Sequence, residues 1–165
     1  MTDDQRFDEV LREHGPALRR LVHAWERERA AREDLWQEIL FALWRALPRF
    51  RGECAERAFV FRVAHNRALT HRFKSRPDEE SLEAAAETHD PRPSPEHDAV
   101  AAQHRQRLLH ALRALPVAAR QVLTLSLEGF SRAEIAEVLG ITENNTGVRL
   151  SRARKLLQEQ LGERT

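Results

Sequence analysis

SRAEIAEVLG ITENNTGVRL SRARK, Ser131 to Lys155, reads as two short helices joined by a sharp turn. Ser131 and Glu134 stand in the S-x-x-E spacing of a capping box, where each side chain satisfies the other's backbone donor. Ile135, Ala136 and Leu139 then face inward, and Ala136 is small where two helices cross closely. Gly140 ends the first helix, because the positive backbone angle of such a turn is cheapest for glycine. Ile141 plugs the turn, Thr142 caps a last helix reaching about Leu161, and Leu150 and Ala153 pack it. This is the form of a helix-turn-helix, although two short helices joined by a glycine also occur in plain helical bundles. Asn144, Asn145 and Thr146 weaken an otherwise good helix, and Gly147 inside it costs about 1 kcal/mol relative to alanine. A face that forgoes stability in this way suits contact with another molecule. Glu143, Asn144, Asn145, Thr146 and Arg149 lie early on that helix, where amides and arginines meet base edges in a major groove. Arg152, Arg154 and Lys155 continue as a basic stretch suited to phosphates.

Working towards the N-terminus, Val117 to Glu128 reads as a helix ended by Gly129, and Leu108, Leu112 and Leu115 mark another, closed by Pro116. Before them the charge changes sign. Residues 1–74 carry 15 basic and 12 acidic groups, residues 75–104 carry 2 and 8, and residues 105–165 carry 10 and 6. The acidic stretch also holds Pro77, Pro91, Pro93 and Pro95, which remove donors and extend the chain. Its alternative reading is a long surface loop within one domain. The expected organisation is a helical domain over 1–74, an acidic linker over 75–97 and a helix-turn-helix domain over 98–165.

In the first of these, Gly15-Pro16 opens a helix with Leu18, Leu21, Val22 and Trp25 inward. Arg32 to Leu47 forms a second, with Leu35, Trp36, Ile39, Leu40, Leu43, Trp44 and Leu47 as a wide apolar stripe. Pro48 stops it, Phe50 to Glu53 is a loop, and a third helix runs from about Ala55 to Lys74. The three tryptophans imply a compact core. On the third helix Val60, Val63, Ala64 and Ala68 share one face. Arg62, His65, Asn66, Leu69, Arg72 and Phe73 share the other, a mixture that single-stranded nucleic acid favours. The alternative puts Leu69 and Phe73 in the core. Asp34, Gln37 and Glu38 cluster on the polar side of the second helix, as a solvated face or a docking surface for a basic partner.

The fold class is therefore all-α. The net charge of +1 excludes nothing, and a composition with only 6 glycines argues against phosphate-cradling loops. No stretch approaches the ~20 apolar residues of a membrane span, and the acidic start Met1-Thr2-Asp3-Asp4 is no secretory signal. His65/His71 and His104/His110 are six apart, off the spacing of a helical zinc pair. Ser126 and Ser151 lack nucleophile-elbow glycines, and the single Cys54 makes neither a disulfide nor a cysteine zinc site. No catalytic residue, metal or cofactor is expected. The expected compartment is the reducing cytoplasm.

The whole pattern resembles a bacterial RNA polymerase sigma factor of the extracytoplasmic-function (ECF) group. Glu33 to Trp44 is similar to that family's polymerase-docking helix, Phe59 to Leu69 to its promoter-melting segment, and Leu115 to Arg154 to its C-terminal DNA-binding domain. The resemblance implies that Asp34, Gln37 and Glu38 face the clamp helices of core RNA polymerase. It implies that Asn66, with the loop around Arg51, receives an unstacked base of the downstream promoter element, while Arg62, His65 and Arg72 hold phosphates. Glu143, Asn144, Asn145, Thr146 and Arg149 would read the upstream element as duplex, supported by Arg152 and Arg154. An anti-sigma factor is a further partner that the resemblance suggests. Phe59 stands where the family often has tryptophan, Thr146 where it usually has an apolar residue, and Gly147 where it has a basic or small one. A stand-alone helix-turn-helix regulator and a helical protein-binding adaptor are the competing readings.

Overall fold

The computed structural model describes residues 1–75 and 96–162. Among them are seven α-helices, one 3₁₀ turn and no strand. The N-terminal half comprises α1 (Asp3–Trp25), α2 (Arg29–Ala46), the 3₁₀ turn Leu47–Arg49 and α3 (Glu56–Ser75). The C-terminal half comprises α4 (Glu96–Ala114), α5 (Val117–Leu127), α6 (Arg132–Leu139) and α7 (Glu143–Gly162). Most of the expected acidic linker, residues 76–95, lies outside the described residues.

The first helix begins twelve residues before Gly15, where the sequence pattern placed its start. Thr2 and Gln5 form a capping box at 3.2 and 2.9 Å, which fixes the N-terminus. Pro16 therefore sits inside α1. Its missing N–H removes one intrahelical bond, and burial of Val10, Leu18, Leu21, Val22 and Trp25 along one face outweighs that loss.

α2 buries Leu35, Trp36, Ile39 and Leu43, but the expected stripe is too wide by one residue. Trp44 is 50% exposed and stacks on Phe41, itself 58% exposed. Two tryptophans, not three, are core residues. On α3, Val60, Ala64 and Ala68 are buried as expected, and so are Phe61 and His65.

The C-terminal half follows the sequence reading closely. Gly129 and Gly140 adopt φ of 84° and 68°. Ser131 and Glu134 exchange their capping bonds at 3.1 and 2.9 Å, and these bonds hold the Glu134 carboxyl below its usual range. Thr142 Oγ1 accepts from the Asn145 amide at 3.0 Å, capping α7.

The two halves pack against each other. The Phe61 and Phe130 rings meet edge to face at 4.9 Å. The Arg57 guanidinium lies 3.7 Å over the Phe130 ring and donates to the Glu128 carbonyl at 2.7 Å. Arg20 grips the Glu128 carboxylate with two bonds, 2.6 and 2.8 Å. Arg113 donates to the His23 carbonyl at 2.9 Å, and the Arg120 guanidinium approaches the Trp25 ring at 5.2 Å. One apolar cluster thus runs from α1 through α3 into α5 and α6.

Candidate polymerase and nucleic-acid interface

Three surfaces carry the expected contact residues. The first is α2. Asp34 and Gln37 are exposed, and Phe41 and Trp44 fall on the same side of the helix, at i+7 and i+10 from Asp34. Arg45 sits 5.7 Å over Phe41, and Trp44 Nε1 donates to Asp4 at 3.4 Å. Carboxylate, amide and two half-exposed rings therefore form one stripe. Counting turns from Asp34 finds both aromatics, of which the sequence pattern assigns Trp44 to the core stripe and leaves Phe41 out of it.

Glu38 is placed differently. It is half-buried, bonded to His71 Nδ1 and, at 3.2 Å, to Arg67 Nη2. Burial pushes its carboxyl up, but these two bonds and the charges behind them outweigh burial and leave its pKa low. Glu38 ties α2 to α3 and is only partly available to a partner.

The second surface is α3 with the loop before it. Arg51 is exposed, its amide bonded to Glu53 at 3.1 Å, and Gly52 turns the loop at φ 80°. Phe50 stacks on Phe59 at 4.4 Å, beside an open depression of about 890 Å³ whose lining includes Arg45, Arg49, Glu53 and Arg67. Asn66 is exposed and Phe73 is 67% exposed. Arg62 and Arg72 are half-buried. Arg62 donates to the Glu137 carbonyl of α6, so the C-terminal half holds it. His65 departs from the expectation. It is 1% exposed, and burial lowers its pKa to about 3. A neutral core imidazole does not hold a phosphate.

Cys54 lies half-buried at the same junction. Burial, reinforced by Glu137 and Glu53 against the opposing charge of Arg62, raises its pKa. The thiol is thus protonated at neutral pH, unlike a reactive thiolate.

The third surface is the start of α7. Glu143, Asn144 and Asn145 are exposed, Arg149 is half-buried, and Arg152, Arg154 and Lys155 are exposed further along. Thr146 is again a correction, being 0% exposed with its hydroxyl donating to the Thr142 carbonyl at 3.0 Å. It packs the turn and presents nothing to a base.

Gly147 has a local reason. A Cβ built there would stand 2.9 Å from Cζ of Arg132, whose side chain crosses α7 at that point. The obstacle is the end of a flexible side chain, so Gly147→Ala is expected to displace Arg132 and raise stability by about 0.5–1 kcal/mol through helix propensity. Urea unfolding of the two proteins measures this, and a loss of stability would mean that Arg132 cannot move aside.

A basic helix-turn-helix coupled to a second helical unit that exposes aromatic, amide and acidic side chains defines a helical DNA-binding protein. Comparisons with known proteins narrow this. Residues 10–77 match Sigma-70 region 2, and residues 105–157 match Sigma-70, region 4. The chain is 30% identical over 163 residues to the ECF RNA polymerase sigma factor SigM of Mycobacterium tuberculosis, covering 97% of this chain and 79% of that protein. It is 26% identical to the RNA polymerase sigma factor NccH of Alcaligenes xylosoxydans xylosoxydans, over 94% of this chain and 86% of the relative. Among solved structures, the sigma factor RpoE of Bartonella quintana, crystallised with the anti-sigma factor NepR, superposes with a TM-score of 0.72 at 24% identity. That match covers 96% of this chain and 98% of the other. The chain belongs to the ECF RNA polymerase sigma factors.

Among the described residues, no helix is long and apolar enough to cross a membrane.

Proposed function

We propose that this sigma factor docks on core RNA polymerase through the exposed stripe of α2, captures promoter DNA with α3 and α7, and catalyses no covalent step itself. The observation that carries this reading is the stripe itself: Asp34, Gln37, Phe41 and Trp44 share one side of α2, opposite the buried Leu35, Ile39 and Leu43. A solvated helix face has no use for two half-exposed rings, whereas aromatic side chains are enriched at protein interfaces. Glu38 braces this surface from behind through His71 and Arg67.

On DNA, Asn66 and the Arg51 loop take an unstacked base of the downstream element, with Arg62 and Arg72 serving phosphates; the exposure of Arg51 and Asn66 supports this. Glu143, Asn144, Asn145 and Arg149 read the upstream element, with Arg152 and Arg154 on its backbone, a role that the exposure of this end of α7 supports. In the packed arrangement Arg62 is occupied by Glu137, so full engagement of α3 with DNA requires the halves to separate. The site of action is then the bacterial cytoplasm, where the polymerase is. An anti-sigma factor is a further partner under this reading, and the cavity of about 810 Å³ between the halves, lined by Leu21, Leu108, Leu109, Leu112 and Leu127, has room for a few of its side chains.

Co-migration with bacterial core RNA polymerase tests the docking surface. Asp34→Arg is expected to weaken association at least tenfold, equivalent to about 1.4 kcal/mol. Asn66→Ala is expected to leave association intact and reduce promoter opening. Wild-type protein that fails to bind a core active with another sigma factor would overturn the proposal in favour of a stand-alone regulator.

A further inference from the structure

Glu13 and His14 lie on α1, and Glu56 is the first residue of α3. Their side chains converge at a point that neither the docking stripe nor the DNA surfaces use. His14 is 7% exposed, with its ring edge to face against Phe61 at 6.5 Å. Its Nε2 is fully enclosed and makes no hydrogen bond. It points at two carboxylates, Glu56 Oε1 at 3.7 Å and Glu13 Oε2 at 4.0 Å.

Those distances are too long for hydrogen bonds, which need N···O of about 3.2 Å or less. They are short enough for a shared ion, because two ligand bonds of ~2.1 Å span up to ~4.2 Å. One potential ligand atom from each of the three residues lies within 4.8 Å of the others. The carboxylates belong to long side chains at half-exposed and exposed positions, so closing the remaining gap requires only rotamer adjustment. The buried imidazole supplies the fixed corner.

The geometry points to a divalent transition-metal site formed by His14 Nε2, Glu13 and Glu56, with water completing the coordination. One imidazole and two carboxylates suit borderline cations such as zinc, cobalt or nickel better than calcium or magnesium, which prefer all-oxygen sites. Two carboxylates also neutralise the ion's charge, which allows it to sit beside the apolar Phe61. Its effect is local: the ion ties the middle of α1 to the first turn of α3, adjacent to Arg57, which holds Phe130. The inference does not depend on the polymerase reading.

Cobalt(II) is the probe, added to full-length protein that has been freed of metal with a chelator. Binding is expected at one equivalent, with visible absorption of inner-sphere cobalt that zinc displaces, and with a raised melting temperature. Glu56→Gln leaves a partly exposed surface position intact in fold and is expected to weaken cobalt binding by about 100-fold, since loss even of outer-sphere partners costs 10–100-fold. His14→Gln is expected to abolish the signal, with circular dichroism reporting that the helices remain. Two outcomes overturn the proposal. In one, cobalt never leaves its aqua spectrum, which makes the cluster an ordinary histidine–carboxylate ion pair. In the other, affinity is unchanged in Glu56→Gln, which places the ion elsewhere.

Discussion

Arg120→Ala is expected to destabilise the protein by about 3–5 kcal/mol, through loss of charge-assisted hydrogen bonds worth about 1.5–3 kcal/mol each and of the buried side chain's packing. Arg120 is 0% exposed on α5. Its Nε donates to the Leu112 carbonyl at 3.1 Å, and its Nη2 donates to those of Arg113 and Leu115 at 2.8 and 3.0 Å. These oxygens belong to the end of α4, where a helix leaves its last carbonyls without intrahelical donors. Pro116 follows immediately and has no N–H to offer. A single guanidinium from the next helix therefore caps α4 and also faces Trp25 across the joint between the halves. Alanine would take the guanidinium from the Arg113 and Leu115 carbonyls, leave that of Leu112 with only the Leu115 amide at 3.2 Å, and open a cavity. The melting temperature should fall by roughly 10 °C, at 2–4 °C per kcal/mol for a chain of this size. Lysine, with one donor group in place of a planar fork, should recover only part of the loss. A melting temperature within a degree or two of wild type would show that water caps α4 equally well.

Nothing in the sequence marked Arg120 out. Between Val117 and Leu127 it looks like one arginine on one helix, and an arginine is almost never fully buried unless paired. Its role depends on α4, α5 and α1 meeting at one point, which local periodicity does not encode. The helix-turn-helix was legible for the opposite reason. Its capping box, the Gly140 turn and the Thr142 cap are all set by residues within four positions of each other. The same distinction explains the errors. Gly15-Pro16 carries a strong local start signal, yet the Thr2 cap and burial of Val10 extend α1 backwards past it. Trp44 is apolar and nearly in phase with the core stripe, and only its tertiary position shows that it faces outward. Thr146 looked like a reading residue because it is polar, whereas its hydroxyl is satisfied by the preceding turn at Thr142. Of the residues expected at the downstream element, Arg51 and Asn66 are exposed. Arg62 and His65 were changed by the approach of the second half, which no pattern within α3 could foretell.

His65 turns that approach into a pH dependence. Both of its ring nitrogens are buried without a hydrogen bond, with Trp25 at 6.2 Å and Phe61 at 6.5 Å as neighbours. Burial alone takes its pKa from 6.5 to about 3. Above pH 6.5 the imidazole is neutral in folded and unfolded chains alike, and stability is independent of it. Below 6.5 the unfolded chain takes up a proton that the folded one refuses, so stability falls as the pH drops, down to about 3. The slope is about 1.4 kcal/mol per pH unit, which gives a loss on the order of 2 kcal/mol at pH 5. The charges around it do not relieve this. His65 lines the cavity between the halves together with Arg20, Arg105 and Glu128. The one carboxylate among these is already held by Arg20 through two bonds. A protonated imidazole is relieved most readily if the halves part and water enters. Between pH 6.5 and 5, wild-type protein should lose stability in urea titrations and expand in small-angle scattering. His65→Leu, which keeps an apolar group against Trp25 and Phe61, should flatten both dependences. If the variant titrates as steeply as wild type, the acid sensitivity resides in other groups, and His65 is not what ties the joint to pH.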